Sequence, residues 1–147
     1  MQGKVTPEQD APTAVYVGVD VCKAHLDVHL HPLGQAFRVP NAPLGLRQLK
    51  RRLAGLTVAK VVLEATGKFH RVAHRTLHAA GYAVAAINPL RGRLFAEAAG
   101  WLAKTDRLDA RSLAVLGEVM QPSARPPLPE QVELLDELVR ARQQAVA

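Results

Sequence analysis

The stretch that decides the fold runs from Ala14 to His31, AVYVGVDVCKAHLDVHLH. Its first eight residues alternate, with Val15, Val17, Val19 and Val21 on one face and Tyr16, Gly18 and Asp20 on the other. A period of two marks a strand buried on one side. After Cys22 and Lys23 the alternation resumes, setting Leu26, Val28 and Leu30 against His25, Asp27, His29 and His31. Two such runs so close together predict a hairpin.

Working outward, QAFRVP reads as a third short strand leading to Asn41, a helix cap in this reading. The helix it would cap, LGLRQLKRRLAGL, places Leu46, Leu49, Leu53 and Leu56 on one side. KVVLEATG reads as a buried strand through Val61, Val62 and Leu63 that ends at Glu64. Thr66 and Gly67 punctuate before a helix that carries Phe69, Val72, Ala73, Leu77 and Ala80 inward. Tyr82 to Ile87 is a further strand, closed by Asn88-Pro89, and helical stretches are expected at about 90 to 100 and 105 to 120. The order βββ-α-β-α-β-α-α predicts an α/β fold: an antiparallel meander, then right-handed parallel crossovers.

Residues 1 to 13 are polar and expected to be loose, and residues 14 to 120 form the expected domain. The proline-rich QPSARPPLPE, 121 to 130, reads as a stiff linker. The closing 131 to 147 is an amphipathic helix through Val132, Leu135, Val139 and Val146. It carries neither a Gly nor a Pro stop, which suggests a fragment.

Composition narrows the function classes. Of 147 residues, 48% are hydrophobic and 22% charged, which excludes a disordered chain. No apolar run approaches membrane-spanning length. A single cysteine, Cys22, excludes an internal disulfide and suits a reducing cytoplasm. The net charge of +6 favours a polyanionic partner, although solubility alone would also account for it. Aromatic residues, at 4%, are too few for a base-stacking platform.

The acids need more explanation. AKTDRLDA places Asp106 and Asp109 three residues apart, on one face if helical, with Lys104, Arg107 and Arg111 around them. The same face continues to Leu113 and Leu116. Two carboxylates about 4 Å apart repel by about 4 kcal/mol at an effective dielectric of 20. An exposed salt-bridge helix and a cation-bridged pair both accommodate that, and this segment alone leaves the two open. Asp20, near the end of the first strand, and Glu64, at the carboxyl end of a later one, tilt the balance. If those strands are neighbours, the two acids converge and the last helix can bring the aspartates over them. Such an oxygen cluster suits Mg²⁺ or Mn²⁺ and phosphodiester displacement.

GVDVCKAHLDV, VVLEATG, INPLRGRLFAEAAGWLAKTDRLDAR and VRARQQ together resemble the amino-terminal domain of the DEDD insertion-sequence transposases. The family is insertion-sequence family one-hundred-and-ten, related to the pilin-gene inversion recombinases, and the resemblance covers about residues 14 to 147. It implies a ribonuclease-H-like domain, similar to the Holliday-junction resolvase RuvC: a mixed five-stranded sheet with flanking helices. It also implies that Asp20, Glu64, Asp106 and Asp109 are the four catalytic, metal-holding acids. The implied activity is DNA strand cleavage and exchange guided by a structured RNA, in a homo-oligomer. A second domain bearing a nucleophilic serine belongs to the family pattern; Ser112 and Ser123, the two serines here, do not match its motif. Cys22 stands where serine is usual, and Lys68-Phe69 replaces a glycine-aromatic pair.

Among the basic residues, Lys23, Lys68, Arg71, Arg91, Arg93, Lys104, Arg107 and Arg111 are the candidates for phosphate contacts, against an ordinary solvated surface. RQLKRR adds Arg47, Lys50, Arg51 and Arg52. His70, His74 and His78 recur every four residues, but a solvated or phosphate-facing helix edge outweighs a zinc stripe. The polar side of the second strand reads as an outer sheet face, with Asp27 as a decoy beside Asp20. Trp101 reads as a packing residue. A non-catalytic module for guide RNA or DNA is the alternative function. An actin-like ATPase is disfavoured because no Gly-rich phosphate turn lies between Val19 and His25.

Overall fold

The structure is a computed structural model and describes residues 12–101 and 108–146. Asp106, Lys104 and Arg107 lie outside the described residues, as does most of the polar start.

Five strands, β1 (Ala14–Val21), β2 (His25–His31), β3 (Gln35–Pro40), β4 (Thr57–Glu64) and β5 (Val84–Ile87), form one sheet in the order β3-β2-β1-β4-β5. β1 pairs antiparallel with β2, and β2 antiparallel with β3; β4 and β5 continue the sheet parallel to β1. This is the mixed five-stranded sheet that the hairpin-then-crossover order implies.

Each face of the sheet has its own cover. Val15, Val17, Val19 and Val21 of β1, Leu26, Val28 and Leu30 of β2, and Val61 and Leu63 of β4 form the larger core. Helices α1 (Pro43–Leu53) and α2 (Arg71–Ala79) close that core with Leu46, Leu49, Leu53, Ala73 and Leu77. The opposite face holds Tyr16, Gly18, Asp20, Val62 and the polar side of β2. It receives α4 (Ala110–Met120), whose Leu113 and Leu116 pack with Val62, Leu108 and, from α3 (Pro89–Ala98), Ala96. The side of β2 read as an outer face is therefore a covered one: His31 Nε2 donates to Glu118 of α4 at 3.0 Å.

The seating of α4 depends on Gly18. A Cβ at that position would stand 1.9 Å from the Ala110 carbonyl oxygen and 2.6 Å from the Ala114 nitrogen. No side-chain rotation relieves a collision with helix backbone, so any larger residue lifts α4 off the sheet.

Further sequence expectations are corrected here, among them the inward placing of Phe69 and Val72, which are exposed. Asn41 does not cap α1; Ala42 occupies that position without a side-chain cap. The Asn41 amide instead donates to the carbonyls of Cys22, at 2.9 Å, and Phe69, at 3.1 Å, tying the β1–β2 turn to the segment before α2. The last helix of the domain begins at Ala110, not near 105, because Asp109 is extended (φ −99°, ψ 177°). His74 is buried rather than flanking the apolar stripe, and donates from Nε2 to the Arg125 carbonyl at 2.9 Å.

The stretch after α4 holds no regular structure up to Glu130, yet it lies against the sheet edge. The Arg125 N–H donates to Val84 O at 3.1 Å, and Lys60 Nζ donates to Pro122 O. The closing helix, α5 (Glu130–Val146), meets α2 through charge. Arg71 bonds Asp136 at 3.1 Å and Glu137 at 3.3 Å, and Arg75 pairs with the buried Glu133. Its apolar residues Leu134, Leu135, Leu138 and Val139 face outward. No described helix is long and apolar enough to cross a membrane.

Gly18→Ala is expected to lower the unfolding free energy by about 2 kcal/mol or more, measured by urea denaturation. Gly55→Ala, where an added Cβ meets nothing within 4 Å, is the control and stays near neutral.

Candidate active site

β1 and β4 run parallel with Gly18 opposite Val62 and Val19 opposite Leu63. The next residue on each strand is an acid, Asp20 on β1 and Glu64 on β4, both on the face that α4 covers. The two strands are neighbours, so both acids stand at the same end of the sheet. The pair sits where the chain order along the sheet reverses, with β2 on one side of β1 and β4 on the other. In α/β sheets this is where ligands gather. Both carboxylates are partly exposed and both take part in polar interactions. One for Glu64 comes from its own loop: Thr66 Oγ1 donates to Glu64 Oε1 at 3.1 Å. The sequence reading used Thr66 only as punctuation; a hydroxyl two residues after an acid at a strand end was the available signal.

Asp109 reaches the same face from the opposite side. It caps α4, its Oδ1 accepting from Ser112 N at 2.8 Å while its carbonyl accepts from Leu113 N at 3.0 Å. Asp109 is therefore the extended N-cap of the helix and not one of its helical residues, and Asp106 lies outside the described residues. The contact of Gly18 with Ala110 places the start of α4 over β1, two residues before Asp20. Electrostatics agrees with that placement. Burial pushes the pKa of His29 below 6.5, and Arg111 and His31 push the same way, while Asp109 opposes them. His29 is the cross-strand partner of Gly18.

Asp27, cross-strand from Asp20, is committed elsewhere. Arg38 grips it from Nε at 2.7 Å and from its second nitrogen at 3.2 Å, and His25 stands 3.6 Å away. Among the candidate cations, Lys23, Lys68, Arg91 and Arg111 are exposed and Arg93 is half-buried. Arg71, only 11% exposed in its side chain, is engaged by Asp136 and Glu137. Trp101 packs edge-on against Phe95, with ring centroids 5.3 Å apart.

The three histidines of the i, i+4 series do different things. His74 latches Arg125, His78 is exposed, and His70 is half-buried with Nδ1 lacking a hydrogen-bond partner among the described residues. Burial lowers the His70 pKa from 6.5, with His74 and Arg71 adding to the effect and Glu133 opposing it. Among the described residues, no three His, Cys, Asp or Glu side chains are grouped as a metal site.

A family model described as a transposase, of the DEDD type of insertion-sequence family one-hundred-and-ten, matches residues 17–147. Among solved structures, the chain is similar to RuvC of T. thermophilus in complex with a Holliday junction substrate. The TM-score is 0.51 at 16% identity, covering 79% of this chain and 100% of that one. At that identity the likeness shows a shared RuvC-like, ribonuclease-H-like fold. A search of curated proteins gives no match.

Asp109→Asn keeps a capping side chain and is expected to leave stability unchanged within about 0.5 kcal/mol, whereas Asp109→Ala should lose about 1 kcal/mol in denaturant titration. For His70 the folded pKa lies below the unfolded value of 6.5, so protonation favours unfolding. Its contribution is complete above pH 6.5 and is lost as pH falls toward the depressed folded value. His70→Phe should therefore flatten the acid side of a Tm–pH profile, while leaving its slope above neutrality unchanged.

Proposed function

The chain belongs to the DEDD insertion-sequence transposase family, and from that premise we propose that its acidic sheet end acts in DNA strand cleavage and exchange. The observation that supports this reading is the register of β1 and β4, whose last pair, Val19 with Leu63, is followed on each strand by an acid, Asp20 and Glu64, while Asp109 caps the helix packed on the same face.

The donor chemistry fits a hard divalent cation. Carboxylate oxygens without thiolate or a clustered imidazole set are the ligands Mg²⁺ and Mn²⁺ prefer. Asp20, Glu64 and Asp109, with Asp106 from the preceding segment, would hold it. A cation bound there supplies charge to the phosphodiester oxygens as one bond forms and another breaks.

What the chain itself contributes is positioning. Two acids lie on rigid neighbouring strands, Thr66 orients Glu64, and the Ser112 N–H fixes one oxygen of Asp109. Lys23, Lys68 and Arg111, exposed near the strand ends and the first turn of α4, would hold the phosphate backbone without reading sequence. Arg91 and Arg93, together with Lys104 and Arg107 of the preceding segment, extend that set. Arg71 would join it only by leaving its partners on α5. Guidance by a structured RNA and assembly into a homo-oligomer, in the cytoplasm, complete the reading on the strength of the family.

Calorimetric titration with Mn²⁺ and Mg²⁺ tests it. Saturable binding is expected, weakened at least about tenfold by Asp20→Asn and by Glu64→Gln. Metal-dependent nicking of duplex or branched DNA should fall in the same variants. Cation binding indifferent to both substitutions would leave the domain as a nucleic-acid-binding module without chemistry of its own.

A further inference from the structure

A cavity of about 290 Å³ lies between β5, the first turn of α3 and the end of α4, one strand away from Glu64. Its floor is apolar, from Ile87, Leu116 and Met120, and Ile87 is the cross-strand partner of Glu64. Its rim carries Arg91 from α3 and Arg125 from the stretch after α4. Neither guanidinium has a hydrogen-bond or ion-pair partner among the described residues.

The walls are fixed. Asn88 caps α3, accepting from Leu90 N at 2.8 Å, which sets the direction of the turn bearing Arg91. Arg125 is held through both sides of its backbone, by Val84 O and by His74 Nε2. Gln121 donates to Tyr16 Oη at 2.8 Å, and Lys60 grips the Pro122 carbonyl. A proline-rich stretch has no local reason to hold Arg125 across a cavity from Arg91, yet four tertiary bonds place it there.

We propose that this cavity is a nucleotide pocket. It takes one nucleotide of a strand passing the acidic end of the sheet, its phosphate between Arg91 and Arg125 and its base against Ile87, Leu116 and Met120. Two guanidiniums lining one cavity from separate elements suit a phosphate, and the apolar floor suits the flat body attached to it. The volume is small for a whole cofactor and adequate for a single nucleotide unit. The inference rests on the nucleic-acid reading of the site and assigns to it a second point of grip beside the carboxylates.

Fluorescence anisotropy of the whole chain with a short fluorescein-labelled oligothymidylate, in EDTA, reads the pocket without the metal site. Arg91→Gln and Arg125→Gln should each weaken binding about fivefold. Ala86→Trp, at an exposed residue lining the cavity, fills the space without changing charge and should weaken binding as much. Loss in the arginine variants with Ala86→Trp unaffected would mean that surface charge alone holds the strand, and would overturn the proposal.

A second measurement needs no variant. Thymidine 5′-monophosphate should shift the backbone amide resonances of Asn88, Gly92 and Ser123. Shifts absent from these residues, or reproduced at equal affinity by inorganic phosphate, would also overturn it. Because the pocket is read in EDTA and cation binding is read without nucleic acid, either reading can fail while the other stands.

Discussion

The approach of α4 to β1 at Gly18 is the constraint from which the rest of this domain follows. A hydrogen at that Cα lets helix backbone lie against strand backbone, closer than any side chain would allow. That contact sets the height of α4 over the sheet, and so fixes where Leu113 and Leu116 meet Val62. It also determines which edge of the sheet receives the helix N-terminus. Asp109 reaches the neighbourhood of Asp20 because the helix it caps is pinned to the strand that carries Asp20.

Rigidity around the acids comes from two sources, strand pairing and a helix cap. Asp20 and Glu64 are held by strand pairing with Asp27 and Ile87, and Asp109 by a cap. The competing acid on the same face, Asp27, is neutralised by Arg38. The effect is a sheet end where Arg38 engages Asp27 while Asp20, Glu64 and Asp109 lie toward the face that α4 covers.

Much of this was legible in the sequence, and the failures share a cause. The alternation from Val15 to Val21 and from Leu26 to Leu30 encodes the hairpin because period two is a local property of backbone geometry. Asp20 and Glu64 could be placed at strand ends on the same grounds. Asn41 was misread because capping rules look to adjacent residues, whereas its partners are Cys22 and Phe69. The start of α4 was misread because a spacing of three between aspartates suits a helix; yet an aspartate followed at three by a residue whose N–H needs an acceptor is itself a cap signal. His74 and Arg125 meet only after the chain has returned to the sheet edge, and nothing in QPSARPPLPE announces that return.

The attachment of α5 has a consequence of a different kind. Most amphipathic helices press their hydrocarbon side onto a domain and turn their charges to water. This one is held to α2 by Arg71 and Arg75 and leaves its leucines outside. Hydrocarbon contacts such as those under α1 and α4 tighten slightly in strongly hydrated salts, whereas ion pairs weaken as mobile ions screen them. Burial of Glu133 and of the Arg71 stem slows that loss without abolishing it. A strongly hydrated salt therefore acts on the two parts of this chain in opposite senses, firming the sheet and its covers while loosening the grip on the final helix.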